Sequence, residues 1–202
     1  MSDNGYIKLV RPGAPGKPIL FAFHGTGGDE NQFFDFASKL LPEATVVAPR
    51  GDVSEHGAAR YFRRTGEGVY DMADLARATD KMAVFVRQMA EEASAATVIG
   101  FGYSNGANIL ANVMFEHGLF DAAMLLHPLI PFEPRDNADL AGRKVLITAG
   151  ERDPICPAPL TRRLEDYFIR QKVDLTMAWH PGGHELRDTE VAAIRAMAGA
   201  YL

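Results

Sequence analysis

The sequence predicts an α/β domain in which a mostly parallel sheet carries helices on both faces. Three observations carry that expectation. Short β-branched and aromatic runs alternate with segments of helical period, the rhythm of a sheet wrapped by helices. One such run, Thr97-Val98-Ile99-Gly100, leads into Gly102-Tyr103-Ser104-Asn105-Gly106 and then a helix-like stretch, Asn105 to His117. No segment between the runs is long enough for a helical cap, so residues 1–202 are expected to form a single domain.

Taken in order, Tyr6–Val10 reads as an edge strand closed by the Pro/Gly stretch Arg11–Pro18. Ile19–Phe23 is a continuous apolar strand that runs into His24-Gly25-Thr26-Gly27-Gly28. Asp29-x-x-Gln32 resembles a capping box and predicts a helix through about Leu41. Thr45–Ala48 is the next buried strand, ended by Pro49, and Arg50–Val69 is a polar loop. From Asp71 to Glu92, Leu75, Thr79, Met82, Val86 and Met89 recur at steps of four and three, one core-facing stripe of a long helix. Strand Ala122–Leu126, loop His127–Leu140, strand Val145–Ala149 and loop Gly150–Pro157 follow the helix that ends at His117. Ala158–Gln171 is a helix with prolines at its entry, where a missing N–H matters little. Val173–Trp179 is the last strand and Asp188–Leu202 the closing helix.

Bulk composition excludes several classes. The chain is 47% hydrophobic and 23% charged, ordinary for a globular protein that buries a core. A net charge of −5 argues against a nucleic-acid partner, which needs a concentrated basic surface. Cys156 is the single cysteine, so no internal disulfide forms and a reducing compartment fits. The opening Met-Ser-Asp-Asn-Gly-Tyr lacks the basic and apolar regions of a secretory signal, and no run reaches the length of a membrane span. The cytoplasm is the expected location, without membrane insertion.

Strand, Gly-x-Ser-x-Gly and helix in that order describe a nucleophile elbow, a tight turn that lifts a serine hydroxyl above the sheet. A serine hydroxyl is a weak nucleophile until an imidazole takes its proton, and the imidazole needs a carboxylate to orient it. Reactive groups in such sheets gather beyond the carboxyl ends of the strands. Asp153 directly follows one buried strand, and His184 lies between the last strand and the last helix, giving the chain order Ser104, Asp153, His184. Glu151 and Asp136 are rival acids. His180 is a rival imidazole placed at a strand end, and His127 reads as a hydrogen-bonded group at the pocket floor.

The oxyanion of acyl transfer needs two donors, expected from the backbone N–H of Asn105 and of Thr26 in the Gly-rich loop. That loop is not a phosphate loop, since no Gly-Lys-Ser/Thr follows, and the histidines lack the spacing of a zinc site. No cofactor or metal is expected. Tyr61, Phe62, Leu129, Ile130 and Phe132, with His127, are candidates for a substrate pocket in the two sizeable loops. Arg60, Arg63 and Arg64 are either solvated charges or a contact for an acidic substrate group. Cys156 reads as a small packing residue beside prolines.

Together these residues resemble the α/β-hydrolase superfamily, in its small bacterial carboxylesterase/phospholipase branch with acyl-protein thioesterase-like and dienelactone hydrolase-like members. The resemblance runs from Phe21-Ala22-Phe23-His24-Gly25 to Gly183-His184-Glu185-Leu186. It is carried most by residues 23–30 (FHGTGGDE), 104–108 (SNGAN), 127–131 (HPLIP) and 153–157 (DPICP). It implies an α/β-hydrolase fold, a Ser104–Asp153–His184 triad, oxyanion donors at Thr26 and Asn105, and hydrolysis of carboxylic esters or thioesters through an acyl-enzyme. It also implies a small-molecule ester substrate and a possible homodimer. Some members are linked to quinone resistance, so aryl esters or lactones are an alternative substrate class; a non-catalytic ligand-binding protein is the alternative of another kind. Ser104 stands where true dienelactone hydrolases carry cysteine. Asn105-Gly106-Ala107 stands where acyl-protein thioesterases usually have Gln-Gly-Gly.

Overall fold

The computed structural model describes residues 5–202; residues 1–4, part of the stretch read above as lacking a secretory signal, lie outside the described residues. The chain runs β1 (Lys8–Arg11), β2 (Ile19–Phe23), α1 (Phe34–Leu40) and β3 (Thr45–Pro49). Four short strands follow: β4 (Val53–Glu55), β5 (Ala58–Arg60), β6 (Arg64–Gly66) and β7 (Val69–Tyr70). Then come α2 (Met72–Glu92), β8 (Val98–Tyr103), α3 (Asn105–His117), β9 (Ala122–Leu126), β10 (Lys144–Gly150), α4 (Ala158–Arg170), β11 (Asp174–His180) and α5 (Asp188–Ala198).

Seven strands form the main sheet in the order β1-β3-β2-β8-β9-β10-β11. Only β1 is antiparallel, pairing Lys8 to Arg11 against Pro49 to Val46. The others are parallel, and β2, β3, β8, β9 and β10 are largely buried on both faces, which is why they read as nearly unbroken apolar runs, whereas the edge strand β11 alternates with exposed polar positions. Successive residues still separate by face. Ile19, Phe21 and Phe23 join the cluster under α2, α3 and α4, while Leu20 and Ala22 join the one under α1 and α5. Helices therefore cover both faces, and the described residues contain no separate cap domain. No described helix is long and apolar enough to cross a membrane.

Winding reverses between β2 and β8, since β3 and β1 lie to one side and β9 to β11 to the other. A crevice opens at such a switch point beyond the strand ends, and the turns after β2 and β8 both lead into it.

Two sequence expectations change. Asp29 and Gln32 do not form a capping box, and helix α1 begins only at Phe34. Instead Gln32 Oε1 accepts the Gly25 N–H at 2.9 Å, tying the Gly-rich loop to the helix entry. The polar loop Arg50–Val69 is structured as two hairpins, β4 with β5 and β6 with β7. Its strands are too short to show alternation.

Candidate active site

Ser104 occupies the turn between β8 and α3 with φ +52° and ψ −117°, a conformation that side chains rarely adopt. The flanking glycines let strand and helix converge there. A Cβ on Gly102 would lie 2.6 Å from the Gly106 carbonyl oxygen, and one on Gly106 would collide with the carbonyls of Phe23 and His24. The Ser104 N–H donates to Leu126 O at 2.8 Å, fixing the turn to β9.

Three side chains from separate loops meet. Ser104 Oγ lies 3.0 Å from His184 Nε2, and His184 Nδ1 lies 2.7 Å from Asp153 Oδ2. With Nδ1–H donating to the carboxylate, Nε2 is free to accept the serine proton. Asp153 Oδ1 accepts the N–H groups of Ile155 and Cys156 at 2.8 and 2.9 Å. Burial opposes ionisation of this carboxyl, but those donors and the two imidazoles outweigh it and hold its pKa below the ordinary value. Tyr103, beside the serine, donates its hydroxyl to His184 O at 2.7 Å. That phenol is pushed up to about 12, chiefly by burial and next by the Asp153 charge, so it stays a donor.

The loop after β2 is braced from inside. His24 is buried; its Nδ1 donates to Gly25 O at 2.7 Å and its Nε2 accepts the Gly51 N–H at 2.8 Å. Burial lowers the His24 pKa and keeps the ring neutral, as an acceptor at Nε2 requires. Arg60 Nη1 donates to Thr26 Oγ1 at 2.7 Å. Thr26 and Asn105 line a cleft of about 280 Å³ together with Ser104, His184, Tyr103, Tyr70 and Leu129. Asn105 opens α3, so its N–H is one of the four that a helix start leaves without an internal partner.

Five pocket expectations require correction. Tyr61 and Phe62 are fully buried core residues. The Tyr61 hydroxyl accepts the His24 N–H and donates to Pro49 O, while its N–H donates to Asn105 Oδ1 at 2.9 Å. They anchor the loop where a rim was expected. Ile130 is buried in the core, and His127 is wholly enclosed, facing Asp153 and absent from the cleft lining. Leu129 does line the cleft, whereas Phe132 lies in a separate groove beside Met72 and Leu75.

The arginine cluster divides. Arg63 is exposed and paired with Asp71 and Asp74. Arg60 is buried at the cleft, and Arg64 lines it too; both face Glu55, at 3.4 and 2.9 Å. Cys156 also borders the cleft, but its Sγ sits 3.1 Å from His127 O, and burial drives its thiol pKa up, away from reactivity. Two groups offer metal-type donors within 4.8 Å, His127/His180/Glu190 and His127/Asp153/His184. In both, imidazole nitrogens already bond carboxylate oxygens directly.

The model of the dienelactone hydrolase family matches residues 19–192. The chain belongs to the dienelactone hydrolase family. MhqD of Bacillus subtilis (strain 168) is 35% identical over 180 residues, 88% of this chain and 90% of that protein. The crystal structure of Atu2452, of unknown function, from Agrobacterium tumefaciens str. C58 is 57% identical with a TM-score of 0.95 over the whole of both chains. The Bacillus cereus carboxylesterase structure is 34% identical with a TM-score of 0.92, covering 100% of this chain and 97% of its own. This member of the dienelactone hydrolase family is thus a hydrolase of the dienelactone hydrolase/carboxylesterase type, with the α/β-hydrolase fold.

Within this family member, sequence reasoning missed Gln32, Arg60 as a brace of Thr26, Tyr103 and Glu190. Glu190 lies on the buried face of α5, accepting the Arg187 N–H at 2.7 Å and facing His127 at 2.9 Å. Burial works against its charge, but the His127 contact and the Arg187 N–H help hold its pKa below the ordinary value. Carboxyls depressed in this way stabilise the fold above their ordinary pKa and stop doing so as pH falls through the folded values. Melting temperature is therefore expected to decline below about pH 4, the ordinary carboxylate range, as Asp153 and Glu190 protonate. A Glu190→Gln/Asp153→Asn double variant is expected to show a shallower acid decline in a pH series of thermal melts.

Proposed function

We propose that the chain is a serine hydrolase that cleaves small carboxylic esters or thioesters through an acyl-enzyme on Ser104. The observation that carries this reading is the 3.0 Å contact of Ser104 Oγ with His184 Nε2, continued at 2.7 Å from His184 Nδ1 to Asp153. Ser104 Oγ attacks the carbonyl carbon as its proton passes to His184 Nε2. Negative charge then builds on the former carbonyl oxygen, where the N–H groups of Thr26 and Asn105 act as donors, aided by the positive end of α3. His184 returns the proton to the departing alcohol or thiol. Water next gives a proton to His184 and attacks the acyl group, and Ser104 leaves with that proton.

A cleft of about 280 Å³, walled by Tyr70, Leu129 and Ile155, suits a small acyl or aryl group and is tight for a long chain. A fluorophosphonate probe tests the chemistry. The native protein is expected to gain one phosphonyl group by mass spectrometry and Ser104→Ala none. An unlabelled native protein would favour the ligand-binding alternative. A panel of aryl esters, short acyl esters and acyl thioesters then ranks the substrate class.

A further inference from the structure

His127 directly follows β9 with φ +49°, fully buried, and takes no part in lining the cleft. Both its ring nitrogens face carboxylates. Nδ1 lies 2.9 Å from Asp153 Oδ2 and Nε2 lies 2.9 Å from Glu190 Oε1. Both carboxyls are held below their ordinary pKa and are ionised, so a neutral imidazole, with one N–H, serves one of them and the other contact would set two lone pairs face to face. An imidazolium serves both.

The surroundings of Glu190 favour the same assignment. Its Oε2 accepts the Arg187 N–H at 2.7 Å, and His180 Nε2 stands 3.3 Å away. His180 Nδ1 accepts the Gly182 N–H, so the proton of that ring is on Nε2, turned to Glu190. Glu190 thus accepts a hydrogen bond from the N-cap of α5 and meets His127 on its other oxygen, while the His180 ring of β11 stands beside it without a hydrogen bond. Asp153 is likewise ringed by four donors, two on each oxygen. Burial disfavours the His127 cation, but the two carboxylates outweigh it and raise its pKa. The other titratable groups facing the ring are His184, His180 and Tyr103, with centroids 5.1, 5.4 and 6.0 Å away. Cys156 Sγ bonds the His127 carbonyl.

We propose that His127 is a positioning residue, an imidazolium clamped between Asp153 and Glu190 that holds the Asp153 carboxylate in place for His184. This rests on the catalytic reading of Ser104, His184 and Asp153. Asp153 Oδ2 must accept the His184 Nδ1–H in a fixed direction, and the second charged donor on that oxygen removes its freedom to turn. The clamp also hands the orientation to Glu190, at the start of α5, so the final helix sets the acid of the site.

Side-chain nitrogen NMR on the resting protein tests the charge without using activity. Both His127 nitrogens are expected to carry protons at a pH above the ordinary imidazole pKa of about 6.5. A single protonated nitrogen there would overturn the clamp. His127→Gln, which keeps a donor but no charge, is expected to lower kcat about tenfold to a hundredfold with KM little changed. The acid limb of its kcat/KM profile is expected at higher pH, because losing the cation leaves Asp153 and Glu190 to favour protonated His184. A folded variant with native kcat and profile, or with only a lower melting temperature, would reject the role. If His127→Gln does not fold, Glu190→Gln decides: it keeps the His127 Nδ1–H donating to Asp153 but removes the second carboxylate, and an unmoved acid limb would reject the role. Should native protein fail to take the fluorophosphonate, the catalytic reading falls while the NMR result still stands.

Discussion

Ser104→Ala is expected to lower kcat by about 10⁶-fold, the scale seen when a serine hydrolase loses its nucleophile. Binding of substrate should survive, because the cleft walls are untouched. The same position offers a control that separates chemistry from fold. Ser104 is held at φ +52°, ψ −117°, where a Cβ is strained by about 1–3 kcal/mol and glycine is not. Ser104→Gly is therefore expected to be as inactive as Ser104→Ala yet more stable than it by about that amount. Steady-state kinetics and denaturant melts on the two variants check both halves. Near-native turnover in either would reject Ser104 as nucleophile, and equal stabilities would mean that the turn is not strained.

Tyr61→Ala should produce the largest loss of stability, about 3–5 kcal/mol for a wholly buried ring. Set against a typical total of about 5–15 kcal/mol, that leaves a marginal fold. The ring packs edge-on against Phe23 at 5.7 Å between centroids. Tyr61→Phe keeps this packing and strips the hydroxyl from between the His24 N–H and Pro49 O. Two buried backbone groups lose their partner, at about 1–3 kcal/mol. Urea melts rank the series. A Phe variant as stable as the native chain would mean that the hydroxyl does not brace the loop.

Much of the fold is written in local pattern. The inner parallel strands are continuous apolar runs because both faces are covered, and α2 shows its stripe because one face only is buried. Chain order alone placed Ser104, Asp153 and His184 each after its own strand, and in a parallel sheet those ends all point one way. The errors have a common source in loops. Tyr61 and Phe62 are large and apolar, which suits a pocket rim as well as an anchor, and no periodicity tells which way a loop residue faces. Gln32 looked like a helix cap because its spacing from Asp29 fits, but Gly25 offered it an N–H across the turn. Glu190 was invisible for another reason. A carboxylate on an amphipathic helix ordinarily marks the wet side, and the His127 ring and the Arg187 N–H make its burial tolerable.

The proposed reactive centre has two mechanical halves. Phe23 and Gly102 are hydrogen-bonded neighbours on β2 and β8, so the turn holding Ser104 and the loop holding Thr26 are spaced by the sheet itself. Strands sit about 4.8 Å apart wherever they pair, and that ruler barely stretches. His184 arrives differently, on a glycine-hinged loop beyond the outermost strand, moored by Tyr103 and by the Arg152 N–H on Gly182 O. Loosening the periphery would thus detune proton transfer first, and leave the cradle for the nascent charge standing.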